Sequence, residues 1–236
     1  MENILLPSRI QYKAGNRPNE EVMIVEPCFH GYGTTLGNAL RRVLLSSLPG
    51  AAITEVKMKG VNHEFQAVKG VKEDALEIIL NLKGLRLKCF SDEPVKLSLV
   101  VKGSKTVTAA DIKSNADVEI MNPEMVIATV TEDSATLDME LTVRKGRGYS
   151  PTEERTKEIQ ELGTIAIDAL FSPIRNVGYR VENSRVGEIT NFDKLIMTIE
   201  TDGTITAQEA VETSAKILID SFALLTHAVS GQSQEI

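Results

Sequence analysis

Three clusters in this chain hold residue types that could do chemistry. Glu73 and Asp74, with Glu77 one turn later in KEDALEIILNLKG, could divide acid and base roles between paired carboxylates. The glycines of HGYGTTLGN, Gly31, Gly33 and Gly37, invite comparison with loops whose bare backbone N–H groups cradle a phosphate. RKGRGYSP gathers Arg144, Lys145 and Arg147 into the one locally basic stretch, a weak polyanion site.

Each cluster also has a plainer account. Carboxylates in the first turn of a short helix complement its macrodipole. The glycine spacing is GxGxxxG, not GxGxxG, and no Walker lysine follows it; a flexible helix entry capped by Thr34 or Thr35 explains it more simply. Charges around two glycines usually form a solvated turn. His30, His63 and His227 are scattered, and Cys28 and Cys89 stand far apart with no ligand spacing, so the sequence gives no support for a metal, a cofactor or a disulfide framework. The cysteines read as reduced core thiols.

The elements that must position these residues follow from periodicity. RIQYKAGNRPNEEVMIVEP alternates apolar and polar residues about a Gly/Asn/Pro turn and predicts a hairpin. GTTLGNALRRVLLSSLPG predicts a helix ending at Pro49-Gly50. Its residues Leu36, Ala39, Leu40, Val43 and Leu44 share one arc, expected to lie on a sheet, while Asn38, Arg42 and Leu45 fall on the opposite side. That second side reads as a solvated face or as a partner face, because arginine beside an exposed leucine resembles an interface anchor.

Period-two runs from Ala51 to Tyr149 predict sheet interrupted by the one short helix, with MVIATVTEDSATLDMELTVRKG giving two strands around EDSA. Residues 150–163 are charged and polar, an expected exposed loop. SPIRNVGYRVEN and FDKLIMTIETDG predict strands. Thr206 and Glu209 then form a capping box opening a long helix, with Ala210, Ser214, Ile217, Leu218, Leu224, Leu225 and Ala228 in an apolar stripe longer than a small sheet can cover.

At 236 residues, 42% hydrophobic and 25% charged, the chain is long enough for one or two domains. A net charge of −7 disfavours direct nucleic-acid binding. No signal segment or membrane-length apolar run is present, so a cytoplasmic location is expected.

GYGTTLGNALRRVLLSSLPGAAITEV, GVNHEF, GVKEDALEIILNLKGL, VTAADI, RKGRGYSP, SPIRNVGYRVENSRVG and DKLIMTIETDGTITAQEAV follow one another from about Arg9 to Ala228. In that order they resemble the N-terminal part of the alpha subunit of bacterial-type RNA polymerase. The resemblance implies an α+β fold: a discontinuous dimerisation domain, residues 1–50 and 175–236, of antiparallel sheet plus two main helices, with an inserted β-rich domain at 51–174. It implies a non-catalytic homodimer that assembles the beta and beta′ subunits, with the active site on those partners and no cofactor of its own. Carried over residue by residue, beta docking falls to Asn38, Arg41, Arg42, Leu45 and Lys83, and beta′ docking to Arg175, Arg180 and Arg185. The dimer interface falls to Leu36, Leu40, Val43, Leu44, Ile217, Leu218, Leu224 and Leu225. The family's C-terminal DNA-binding domain is expected to be absent from this chain, whose SGQSQEI suits the start of a linker. Readings that compete are a dimeric scaffold outside transcription and a small-molecule enzyme.

Overall fold

A computed structural model describes residues 4, 6–113, 115–155, 163–186 and 189–229. The elements run β1 (Arg9–Ala14), β2 (Glu20–Cys28), α1 (Tyr32–Ser46), β3 (Pro49–Met58), α2 (Ala75–Leu82), β4 (Leu87–Cys89), β5 (Val95–Lys102), β6 (Lys105–Thr108), β7 (Val118–Ile120), β8 (Val126–Val130), β9 (Thr136–Arg147), β10 (Tyr149–Ser150), α3 (Thr152–Arg155), β11 (Thr164–Ala166), β12 (Ala169–Leu170), β13 (Ile174–Val186), β14 (Ile189–Thr201) and α4 (Ala207–Val229). The chain divides into two compact units, residues 1–48 with 173–236 and residues 49–172.

In the discontinuous unit, four antiparallel strands run in the order β1-β2-β14-β13. Alternation decides which side is buried: Met23 and Val25, Leu195, Met197 and Ile199, and Val177 turn to one face. Leu44 and Leu48, Ala207 and Ala210 complete that core. Helix α1 lies against β13, β14 and α4. It ends at Ser46, and Pro49-Gly50 already opens β3, paired with Arg147 and Gly146, so the proline begins a strand where its missing N–H is tolerated. Helix α4 opens on the expected capping box: Thr206 N–H donates to Glu209 Oε2 at 3.0 Å and Glu209 N–H to Thr206 Oγ1 at 3.2 Å.

The continuous unit is β-rich. Its main sheet runs β5-β9-β3-β4-β7, with β11 added to β3, and β5 alternates buried and exposed residues along its whole length. Strands β8 and β9 flank EDSA, but β8 pairs with β6 while β9 pairs with β3 and β5. Helix α2 seats Ala75, Ile78, Ile79 and Leu82 in this core. The expected loop at 150–163 opens instead with helix α3, whose Arg155 guanidinium donates to the carbonyls of Ser150, Thr54 and Ile167; residues 156–162 lie outside the described residues. Among the described residues, no helix is long and apolar enough to cross a membrane.

Candidate functional site

Helix α1 is pressed onto its sheet by its glycines. A Cβ on Gly37 would stand 2.6 Å from Tyr179 Cδ2 and 2.9 Å from Leu195 Cδ1, inside any real contact distance. One on Gly33 would stand 2.9 Å from Asp193 Cβ. The most buried arc is therefore Gly33, Gly37 and Leu44, flanked by half-buried Leu36 and Leu40. It is rolled toward the glycines from the all-aliphatic arc that periodicity favoured. Hydrophobicity patterns overlook glycine, whose contribution here is the absence of a side chain.

Neither threonine caps this helix through its backbone start. The N-cap is Gly31, in the left-handed region at φ 82° with no side-chain cap, and Thr35 Oγ1 instead donates back to Gly31 O at 3.3 Å. The carboxylate of Asp193, 160 residues away, accepts the Gly33 N–H at 3.0 Å. The Gly33 N–H is therefore already taken by a carboxylate that would itself repel a phosphate, which removes the phosphate-cradle reading.

The adjacent arginines do different things. Arg41 Nε donates to the Val177 carbonyl at 3.0 Å and ties α1 to β13. Arg42 is exposed, and among the described residues nothing hydrogen-bonds or ion-pairs its guanidinium. Asn38 and Leu45 are exposed beside it, Leu45 at 36%. Arg42 also lines an open groove of about 770 Å³ with Thr34, Asn38, Val43, Tyr179 and Leu218.

On α4 one stripe changes environment along its length. Ala207, Ala210 and Ser214 are buried, Ile217 and Leu218 are half-buried, and Phe222, Leu224 and Leu225 are 59%, 71% and 63% exposed. The side chain of Ala228 lies outside the described residues. Leu44, by contrast, has no exposed surface. It belongs to the core of its own unit and is removed from the expected dimer face.

Four of the remaining candidates, Glu73, Asp74, Arg144 and Lys145, have intramolecular partners. Glu73 accepts from Thr129 N–H at 2.6 Å and Oγ1 at 3.0 Å, while Asp74 caps α2 by accepting the Glu77 N–H at 2.7 Å. Arg144 pairs with Glu55 at 3.1 Å and Lys145 with Asp92 at 2.8 Å. Cys28 and Cys89 are buried free thiols; burial pushes the Cys28 thiol up, and the Asp193 charge adds to that against a backbone hydrogen bond from Leu195. Among the described residues, no group of three His, Cys, Asp or Glu could hold a metal ion.

Comparison with known proteins gives this geometry a context. Residues 56–172, nearly the whole continuous unit, match the family described as the RNA polymerase Rpb3/RpoA insert domain. The chain is 54% identical over 213 residues to the DNA-directed RNA polymerase subunit alpha of Moorella thermoacetica, covering 90% of this chain and 68% of that one. The chain belongs to the DNA-directed RNA polymerase subunit alpha family. Alpha subunits of Alkaliphilus oremlandii and Roseiflexus castenholzii are 50% and 52% identical over 87% and 83% of the chain. The chain spans 66% and 60% of those two relatives' own lengths.

Within this alpha-family chain, the residues that the resemblance singles out are carried by three elements, α1, α2 and β13. Asn38, Arg41, Arg42 and Leu45 share α1, whereas Lys83 caps the C-terminus of α2 in the other unit and pairs with Asp168 at 3.1 Å. Arg175, Arg180 and Arg185 are exposed along β13, each about 17 Å from the next at strand rise, and Arg180 pairs with Glu182 at 2.9 Å. Asp193 belongs to none of the three candidate clusters and has one local signal. The alternation through Leu195, Met197 and Ile199 puts position 193 on the core-facing side, and a carboxylate at a core position was the available signal.

Proposed function

We propose that this chain is a non-catalytic assembly platform of a DNA-directed RNA polymerase, acting in the cytoplasm as a homodimer that docks the beta and beta′ subunits. The observation that carries beta docking is the contrast on α1. Arg41 is tied to the chain's own sheet, while Arg42 is displayed beside Asn38 and Leu45 with no partner among the described residues. An arginine with a free guanidinium fork next to an exposed leucine has the makeup of an interface hot spot. Lys83 adds a charged position in the other unit, and Arg175, Arg180 and Arg185 supply the beta′-facing positions.

Dimerisation is supported by the outer half of α4. Leu218, Leu224 and Leu225 continue a stripe that is buried at its start, and an isologous partner would cover each copy's stripe with its own. Leu36, Leu40, Val43 and Ile217 border the same proposed seam. The enzyme reading loses two of its three carboxylates, because Glu73 and Asp74 are engaged in holding the backbone of β8 and α2.

The test is Arg42→Ala. Truncating a hot-spot anchor removes about 2 kcal/mol or more of binding energy. The variant should remain a folded dimer yet capture purified beta subunit about 30-fold more weakly. Undiminished capture would sink the assignment, and turnover of a small molecule by the isolated chain would favour the enzyme.

A further inference from the structure

We infer that Asp193 is a positioning residue for partner docking: its buried carboxylate on β14 fixes the N-terminus of α1 and thereby the direction in which Arg42 is presented. This rests on the docking role proposed for Arg42. It begins from an unusual expense, a carboxylate only 7% exposed with no ion-pair partner among the described residues. Burying an unpaired charge is strongly unfavourable unless hydrogen bonds and dipoles compensate it. Here the compensation comes from α1. The Gly33 N–H donates to Asp193 Oδ2 at 3.0 Å, and the positive end of a fifteen-residue helix faces the carboxylate.

The two sides are matched. Helix α1 begins on Gly31, which offers no capping side chain. Of its first-turn amides, Tyr32 N–H donates to Phe29 O at 2.9 Å and Thr35 N–H to Gly31 O at 3.4 Å, and Gly33 is served from β14. Gly33 carries no side chain where a Cβ would lie 2.9 Å from Asp193 Cβ and 3.0 Å from Val181 Cγ1. The β2–β14 ladder is irregular at this point, pairing Asp193 with Cys28 but Leu195 with Val25. Such a bulge re-aims side chains.

Helix geometry carries the constraint to the docking face. Arg42 follows Gly33 by nine residues, about 13.5 Å along the axis and about 180° around it. The point held by Asp193 and the displayed guanidinium therefore sit on opposite sides of one rigid helix. A roll or tilt at the Gly33 end swings Arg42 directly.

The experiment uses the full 236-residue chain with Asp193→Ala, Asp193→Asn, Arg42→Ala and the Asp193→Ala/Arg42→Ala double variant. Amide hydrogen exchange reports the cap, and capture of purified beta subunit reports docking. Asp193→Ala should speed exchange at Gly33 roughly tenfold, the loss of a cap together with a dipole partner. It should also weaken capture by about three- to tenfold. Asp193→Asn, which keeps an oxygen acceptor, should recover a large part of both. In the Arg42→Ala background the capture loss from Asp193→Ala should vanish, since residues acting through one another are not additive. Unchanged exchange at Gly33 overturns the inference, as does a capture loss that stays fully additive with Arg42→Ala. If Arg42→Ala weakens capture but Asp193→Ala does not, only this inference falls. If Arg42→Ala leaves capture intact, the docking reading falls first and takes this inference with it. Should the alanine variant not fold, Asp193→Leu, of similar shape but without an acceptor, takes its place, and wild-type exchange and capture there overturn the inference.

Discussion

Replacing Leu225 by glutamate should separate the two copies without unfolding either. Leu225 is 63% exposed in the single chain, so the substitution removes little that holds the protomer together. Fully burying a leucine contributes about 1.5–3 kcal/mol, and roughly two-thirds of that is still outstanding here, about 1–2 kcal/mol per copy. An isologous seam uses each residue twice, which makes about 2–4 kcal/mol per dimer before the glutamate itself is considered. A carboxylate trapped between apolar stripes adds several kcal/mol per unpaired charge. The total is at least about 4 kcal/mol, or about a thousandfold in the dimer dissociation constant. Sedimentation equilibrium over a concentration series measures this, with Gln208→Glu on the exposed first turn as the charge control. A Leu225→Glu dimer within tenfold of the parent affinity would refute the seam.

Two further outcomes concern stability. Gly37→Ala gains about 1 kcal/mol of helix propensity. It meets Tyr179 Cδ2 at 2.6 Å and fully buried Leu195 at 2.9 Å, and overpacking of about 1–3 kcal/mol should prevail, so urea unfolding should show a net loss; a stabilised variant would contradict the close approach. For Asp168, the Thr152 backbone N–H and then Lys83 hold the carboxyl below its usual range. Its contribution to stability is present at neutral pH and is lost as pH falls through that depressed value. The urea midpoint of Asp168→Asn should thus lie below the parent's at neutral pH and converge with it in acid, and a gap that persisted undiminished into strong acid would argue against the pairing.

How much of this was legible in the sequence depends on chain separation. The Thr206–Glu209 box, the first hairpin and the α4 stripe are set by neighbours within a turn or a strand, and periodicity reads them directly. Pairing over distance is another matter: EDSA marked a turn correctly but could not say that β8 goes to β6 and β9 to β3 and β5. Leu44 and Leu36 are alike in the helical pattern, yet only Leu44 is sealed inside its own unit. Periodicity gives a face, not what covers it. The arginine pair was legible as unusual, but the division of labour between Arg41 and Arg42 required the Val177 carbonyl, 136 residues on from Arg41.

The Asp193–Gly33 bond also has a consequence in time. At about 5–20 residues per second, a ribosome making Gly33 needs roughly 8–32 s more to reach the carboxylate 160 positions later. During that interval residues 49–172 emerge as one uninterrupted stretch that contains its own core. Helix α1 meanwhile lacks β13, β14 and its cap. The face bearing Arg42 is thus finished late, after the intervening unit has been synthesised, so a nascent chain does not complete the proposed docking helix until β14 is in place.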